Sequence, residues 1–86
     1  MKLNFQKNQI VTYAWQGKSI KCKVVDSVSE PGQSLSLDDG TTYHVHEKDD
    51  STKYSGEPLY KLSIIEESSN SKGQEVLHYE SELAHE

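Results

Sequence analysis

Apolar and polar residues alternate along much of this chain, which is the pattern of half-buried β-strands. In its first third the pattern predicts a strand over Ile10–Trp15, a turn at Gln16-Gly17-Lys18 and a second strand over Ser19–Val28. The alternation breaks at Val25, which predicts a β-bulge or a sharp bend there. The two strands form an antiparallel hairpin around which the rest of the chain is organised.

The period of two also assigns the faces of this hairpin. Val11, Tyr13 and Trp15 share one face of the first strand, and we expect Trp15 to reach the surface because it borders the turn. The second strand directs its apolar residues inward and its lysines outward: Ile20, Cys22 and Val24 point in, and Lys21 and Lys23 point out.

A second hairpin is predicted over Ser34–His46, and two loop lengths are compatible with it. A two-residue loop at Asp39-Gly40 pairs Leu35 with His44, whereas a three-residue loop with Gly40 left-handed pairs Leu35 with Tyr43. We choose the longer loop because it gathers the apolar residues on one face. That face carries Leu35, Leu37, Tyr43 and Val45, and the opposite face carries His44 and His46.

The remaining elements follow from the same pattern and from turn-forming residues. We predict a lead-in anchored by Phe5 at one end of the fold and a mobile loop over Glu47–Glu57. A strand over Tyr60–Ile65 follows, and a polar connection over Glu66–Gln74 leads to a last strand over Val76–Tyr79. The chain then forms a capped turn at Ser81-Glu82-Leu83, with Leu83 as a closing plug. The fold class is therefore all-β, a small barrel of about five antiparallel strands with a short C-terminal helical turn.

Length and charge limit the possible functions. The 86 residues make one domain, residues 1–86, with an ordered core over about residues 5–83. The net charge is −5, there is no arginine, and residues 1–25 hold five lysines and no acid. No apolar run is long enough to span a bilayer and no signal-peptide core is present, so we expect a cytoplasmic protein without membrane association. The single cysteine, Cys22, excludes an internal disulfide, and we expect it to be a buried apolar residue.

Four short segments succeed one another over nearly the whole chain. They are Phe-Gln-Lys-Asn-Gln-Ile-Val-Thr-Tyr-Ala-Trp from Phe5, Lys-Cys-Lys-Val-Val from Lys21, Glu-Pro-Leu-Tyr-Lys-Leu from Glu57, and Val-Leu-His-Tyr-Glu-Ser-Glu-Leu from Val76. Their order and spacing resemble the hypervirulence-associated protein Tudor-domain family. Asn8 and Gln9 stand where that family usually has Gly-Asp, and Cys22 stands where it often has Gly. The resemblance implies an SH3-like, Tudor-type barrel and no defined biochemical activity.

Aromatic residues are the first candidates for a binding site. They are Tyr13, Trp15, Tyr43, Tyr54, Tyr60 and Tyr79. An aromatic cage built from such rings holds a methylated lysine or an arginine through cation–π contacts. The alternative, which small barrels favour, is that Tyr13, Tyr43 and Tyr60 are core or rim residues.

Two further groups of residues have a chemical interpretation. Lys18, Lys21 and Lys23 beside Trp15 resemble a nucleic-acid patch, although the isoelectric point near 5.3 and the lack of arginine oppose it. The alternative is that these lysines are the solvated face of an edge strand. His44 and His46 have the spacing of a metal-ligand pair, to which Glu47, Asp49 and Asp50 would add, but no third fixed ligand is evident. We therefore predict no metal and no cofactor.

No catalytic motif accompanies these candidates. The chain has neither a Gly-x-Ser-x-Gly elbow nor a glycine-rich phosphate loop, so we predict that it is not an enzyme. The leading hypothesis is a non-catalytic module that binds a protein or peptide, with Tyr13, Trp15, Lys18, Lys21, Lys23, Tyr43 and Tyr60 as candidate contacts. The alternatives are a nucleic-acid-binding accessory protein that uses the lysine-rich hairpin and a small acidic inhibitor or decoy protein.

Overall fold

The computed structural model describes residues 4–48, 54–67 and 69–85, and about half of them lie in β-strands. The elements are β1 (Ile10–Trp15), β2 (Lys18–Val28), β3 (Ser34–Ser36), β4 (Thr42–His44), β5 (Leu59–Ile64), β6 (Glu75–Tyr79), a 3₁₀ turn (Glu80–Glu82) and β7 (Leu83–His85). Five strands form one antiparallel sheet in the order β6-β5-β2-β1-β7, and β3 and β4 form a separate hairpin. The predicted all-β fold class, with five antiparallel strands in the main sheet and a short C-terminal helical turn, is confirmed.

The β1–β2 hairpin has the turn and the bulge that the sequence predicts. Trp15 pairs with Lys18, and the two residues between them, Gln16 and Gly17, have φ of 51° and 79°. Positive φ at both positions is the geometry whose twist suits a two-residue hairpin. The pairing of β2 with β5 shifts register between Val24 and Asp26, which confirms the bulge. A bulge of this kind bends its strand and increases the local twist of the sheet.

The main core fills the concave face of the five-stranded sheet. Its buried members are Phe5, Val11, Tyr13, Ile20, Cys22, Val24, Tyr60, Leu62 and Ile64. Phe5 is buried and packs edge-on against Tyr60, with ring centroids 5.5 Å apart, which confirms its role as the anchor of the lead-in. Burying these apolar side chains provides most of the driving force for folding.

A second, smaller core lies on the other face of β5 and β6. It consists of Leu35, Val45, Leu59, Leu77 and Tyr79. The β3–β4 hairpin supplies Leu35, and Val45 directly follows β4, so this hairpin covers the side of the sheet that faces away from the main core. We call it the covering hairpin. As a consequence β5 buries residues on both faces, and Leu59 is as fully buried as Tyr60.

The register of the covering hairpin is the one chosen from the sequence. Leu35 pairs with Tyr43, the Leu37 N–H donates to the Thr41 carbonyl at 2.8 Å, and Gly40 has φ of 95°. Tyr43 shares the face of Leu35 but is 44% exposed, so of the two positions considered for it, core and rim, it occupies the rim.

Two expectations about elements are wrong. Val76–Tyr79 is not the last strand, because β7 follows the 3₁₀ turn and pairs with β1, with Leu83 opposite Tyr13. Leu83 therefore belongs to the sheet, and from that position it packs against the main core, as expected of a closing residue. The lysines of β2 were also considered as the solvated face of an edge strand, but β2 lies between β1 and β5 and is not at an edge of the sheet.

The predicted loop over Glu47–Glu57 lies partly outside the described residues, which omit 49–53. The part that follows them is held against the covering hairpin. Ser55 forms a parallel bridge with His46, and the Gly56 N–H donates to the His46 carbonyl at 3.1 Å. In the described ranges, no helix combines the length and apolar character needed to cross a membrane.

Candidate functional site

Three tyrosines from separate parts of the chain stack beside β6. Tyr79 comes from β6 itself, Tyr43 from β4, and Tyr54 from the end of the loop after the covering hairpin. The ring of Tyr79 lies 4.5 Å from that of Tyr54 and 6.2 Å from that of Tyr43, with interplanar angles of 8° and 5°. The rings line a cleft of about 440 Å³, which we call the tyrosine cleft. Its other lining residues are Thr42, His44, His46, Leu77, His78 and Glu82.

Tyr79 is the fixed centre of the tyrosine cleft. It is buried, and its hydroxyl donates a hydrogen bond to the His44 carbonyl oxygen at 2.8 Å. Burial raises the pKa of Tyr79, and the neighbouring Tyr43 and Glu82 raise it further. The Tyr79 ring is therefore neutral at ordinary pH and held by its hydroxyl at the base of the cleft, whereas Tyr43 forms an exposed wall beside it.

One carboxylate at the rim of the cleft is fixed in place. Glu82 Oε1 accepts the backbone N–H of Tyr79 at 2.9 Å, which is one half of the capping box that starts the 3₁₀ turn. The other oxygen, Oε2, lies 3.4 Å from Nδ1 of His78. The cleft thus combines aromatic faces with an ordered negative charge.

Two histidines close the opposite side of the cleft. The rings of His44 and His46 are 4.5 Å apart, and His46 also stacks on Tyr79 at 5.9 Å. No group of three His, Cys, Asp or Glu side chains within the described ranges is arranged to hold a metal ion. Of the further ligands considered from the sequence, Asp49 and Asp50 lie outside the described residues.

A second cleft, of about 260 Å³, lies at the tip of the β1–β2 hairpin, and we call it the tryptophan cleft. Trp15 forms its outer wall and is 60% exposed, as expected from its place beside the turn. Tyr13 lies deeper and packs on the ring of His78, with centroids 4.2 Å apart. The rest of the lining is Ile20, Ile64, Ser69, Ser71, Gln74, Val76 and His78. His78 therefore borders both clefts.

The predicted lysine patch is divided between two faces of the hairpin. Lys18 lies with Trp15 at the hairpin tip, where both line one depression. Lys21 and Lys23 are exposed, and the alternation along β2 directs them away from the core. The backbone N–H of Lys21 donates to Glu66 Oε1 at 3.3 Å, so an acid lies close to this lysine. The three lysines do not form one continuous surface.

Two other candidates are core residues. Tyr60 is fully buried, and its hydroxyl donates to Glu80 Oε1 at 2.8 Å, so it reaches no binding face. Burial raises its pKa, and the bond to Glu80 raises it further. Cys22 is buried as expected, and burial, followed by the charge of Glu66, raises the pKa of its thiol to about 11. A thiol with this pKa stays protonated at neutral pH and is a poor nucleophile.

Sequence reasoning named all three cleft tyrosines but did not bring them together. Its possible cage also held Tyr13, Trp15 and Tyr60, and its candidate contacts kept Tyr43 without Tyr54 and Tyr79, whereas the structure joins Tyr43 to Tyr54 and Tyr79. A signal was present in the chosen hairpin register, which places Tyr43 opposite Leu35 on one face of the hairpin. Which strand that face approaches depends on how the hairpin packs on β6, and this is tertiary information. Comparisons of the chain with protein-family models, with curated proteins and with solved structures found no match.

Proposed function

We propose that this protein is a non-catalytic interaction module that binds a protein or peptide segment in the tyrosine cleft. The observation that carries the proposal is the stack of Tyr43, Tyr54 and Tyr79, with one ring fixed by a hydrogen bond and one exposed. Exposed aromatic side chains beside a formed cleft are typical of recognition sites. The volume of about 440 Å³ lies within the range of small-ligand sites.

The chemistry of the cleft favours a cationic side chain as the bound group. The faces of aromatic rings attract an ammonium or guanidinium group, and Glu82 adds a carboxylate at the rim. A net charge of −5 attracts basic partners over longer distances. Arginine fits best, because its planar group stacks on a ring while its N–H groups reach a carboxylate.

Three further statements belong to the same proposal. The protein is not an enzyme, which is supported by the buried, protonated state of its one thiol. It belongs to the Tudor-domain family it resembles, which is supported by the order of its motifs and by the strand order of the sheet. It acts in the cytoplasm, where a lone unpaired cysteine is ordinary.

The proposal is tested by titrating the ¹⁵N-labelled protein with acetyl-arginine-amide and with the neutral isostere acetyl-citrulline-amide. We expect millimolar binding of the arginine compound, with saturable shifts of the Tyr43 and Tyr79 amides, and no saturable binding of the citrulline compound. Glu82→Gln keeps an oxygen for the Tyr79 N–H but removes the charge, so it should weaken binding about three- to tenfold. Equal binding of the two compounds, or shifts confined to other surfaces, would contradict the proposal.

One observation favours nucleic acid as a second candidate ligand. Trp15 is 60% exposed beside Lys18, and a free indole next to an ammonium group can stack on a base while the lysine contacts phosphate. A gel shift with single-stranded oligonucleotides at low salt tests this. Binding that is lost on Trp15→Ala and weakens as salt rises would support it, and no retardation would exclude it. The decoy alternative predicts a partner of the opposite charge, namely a basic protein whose capture weakens as salt rises.

A further inference from the structure

β6 is an edge strand of the five-stranded sheet. In the part of the chain that the structure describes, it pairs with β5 and with no other strand. It is five residues long, Glu75–Tyr79, which corresponds to about 17 Å of extended backbone. An unpaired edge offers a row of backbone donors and acceptors to another extended chain.

The register shows which backbone groups point outward. The Glu80 N–H donates to the Pro58 carbonyl at 3.0 Å, which continues the ladder between β6 and β5. Because hydrogen-bonded positions alternate in an antiparallel pair, Val76 and His78 bond to β5, and Glu75, Leu77 and Tyr79 direct their backbone groups to the free edge. Glu82 already accepts the Tyr79 N–H. The alternation therefore directs both backbone groups of Glu75 and Leu77 to the outer edge, where Glu75 is the more accessible residue and Leu77 is 6% exposed.

The two clefts lie on opposite sides of this edge. Leu77 and Tyr79 face the second core and line the tyrosine cleft. Val76 faces the main core and lines the tryptophan cleft, and His78 borders both. Successive side chains of a β-strand point to opposite faces of its sheet. A strand paired with β6 would therefore direct alternate side chains toward the two clefts.

We infer that the ligand of this module is an extended peptide strand that pairs with the free edge of β6 and directs alternate side chains into the tyrosine cleft and the tryptophan cleft. The inference rests on the proposed function and names its ligand class. Backbone hydrogen bonds to Leu77 and Glu75 provide affinity that does not depend on the side chains of the ligand, and the clefts provide selectivity. The tyrosine cleft takes a basic side chain and the tryptophan cleft an apolar one.

The acidic residues beside the free edge of β6 support a basic peptide strand as the ligand. Glu75 stands at one end of β6 and Glu82 lies just beyond the other end, where it lines the tyrosine cleft. Lys61 lies 3.6 Å from Glu75 and leaves part of that carboxylate accessible. The apolar preference on the other side follows from the lining of the tryptophan cleft by Tyr13, Ile20 and Val76. The bound sequence therefore alternates basic and apolar residues.

The probe is the peptide acetyl-Thr-Ile-Arg-Leu-Arg-Val-Thr-amide, used with two N-methylated forms. One form carries methyl groups on the two arginine nitrogens, and the other carries them on the isoleucine and leucine nitrogens. Since amide directions alternate along a strand, one methylation removes the donors that face β6 and the other removes donors that face solvent. We expect one form to bind like the parent and the other to lose at least tenfold in affinity. Equal effects of the two methylations overturn the inference.

Hydrogen exchange locates the contact. The parent peptide should slow exchange of the Leu77 amide at least fivefold and shift the Trp15 indole resonance. Trp15→Ala should weaken peptide binding several-fold, whereas Lys23→Ala, on the outer face of β2, should not. Protection at β7, the other sheet edge, in place of β6 overturns the inference. Self-association of the protein alone through β6, seen by sedimentation and Leu77 protection, also overturns it, because a second copy then occupies the edge.

Failure of the inference and failure of the proposed function give different results. If acetyl-arginine-amide binds the tyrosine cleft but the methylated peptides bind equally well, the function stands and the strand-pairing inference is wrong. If neither the amino-acid derivative nor the peptide shifts the cleft resonances, both are wrong.

Discussion

The hydroxyl of Tyr79 donates a hydrogen bond to the backbone carbonyl of His44 at 2.8 Å, and so joins the main sheet to the covering hairpin. Tyr79 lies in β6 and His44 in β4, so the bond spans two sheets. The same bond fixes the ring that Tyr43 and Tyr54 flank. The shape of the candidate site is therefore coupled to the docking of the hairpin.

Tyr79→Phe removes this bond and keeps the ring. We expect the free energy of unfolding to fall by about 1–2 kcal/mol, because the partly buried carbonyl of His44 loses its donor. Urea denaturation followed by circular dichroism measures the change. Ligand binding in the tyrosine cleft should also weaken, since the ring loses its fixed position.

Tyr43→Phe is the matched control for that variant. Tyr43 is 44% exposed, so removal of its hydroxyl should change stability by less than about 0.5 kcal/mol. Equal losses in Tyr79→Phe and Tyr43→Phe would show that the bond to His44 contributes nothing specific.

Leu35→Ala tests the second core. Leu35 is buried under the covering hairpin, and its truncation should lower the free energy of unfolding by about 2–4 kcal/mol. Leu37 is only partly buried against the same cluster, so Leu37→Ala should lower it by about half as much or less. Thermal denaturation of both variants gives the comparison. A Leu35 variant as stable as the parent protein would contradict the packing of the hairpin on β5 and β6.

The sequence predicted the local part of this structure well. The alternation of Leu35, Tyr43 and Val45 was enough to choose the register of the covering hairpin, and the break at Val25 located the bulge. These features depend on side-chain periodicity within one hairpin, and a single sequence contains that information. β7 was missed because three residues, Leu83–His85, are too few to show a period.

The candidate site was harder to predict because it depends on which faces are covered. Periodicity identified Tyr60 and Leu62 as inward residues of β5, but it cannot show that Leu59 on the other face is also buried. That burial requires the covering hairpin to dock there. The same docking brings Tyr43 to Tyr79, so the second core and the tyrosine cleft were missed together.

The tip of the β1–β2 hairpin is open to stabilisation. Gln16 has φ of 51°, a left-handed conformation that costs an ordinary side chain about 1 kcal/mol. Gln16→Asn creates an Asn-Gly pair, which this two-residue turn prefers, and should raise the free energy of unfolding by about 0.5 kcal/mol. Gly17→Ala should lower it by about 1 kcal/mol, because Gly17 has φ of 79°. Urea midpoints measure both, and changes of the same sign would contradict the turn geometry.

Stability should fall at alkaline pH, and Cys22 should account for the first part of the fall. Burial, followed by the charge of Glu66, raises the pKa of the folded thiol from its ordinary value of 9.0 to about 11. Between these values the unfolded chain releases the thiol proton and the folded chain keeps it, so the unfolded state binds fewer protons and is favoured as pH rises. The stabilisation is complete below pH 9 and is lost toward pH 11.

The measurement is the free energy of unfolding from urea titrations at intervals between pH 8 and 11. Cys22→Ala removes the titrating thiol, so its stability should decline less steeply with pH than that of the parent protein, even though its absolute stability is lower. The slope will not vanish, because burial also raises the pKa of Tyr13, Tyr60 and Tyr79 above its ordinary value of 10.0. Parallel pH profiles for the variant and the parent protein would show that the thiol is not buried in solution, and would count against the packing of the main core.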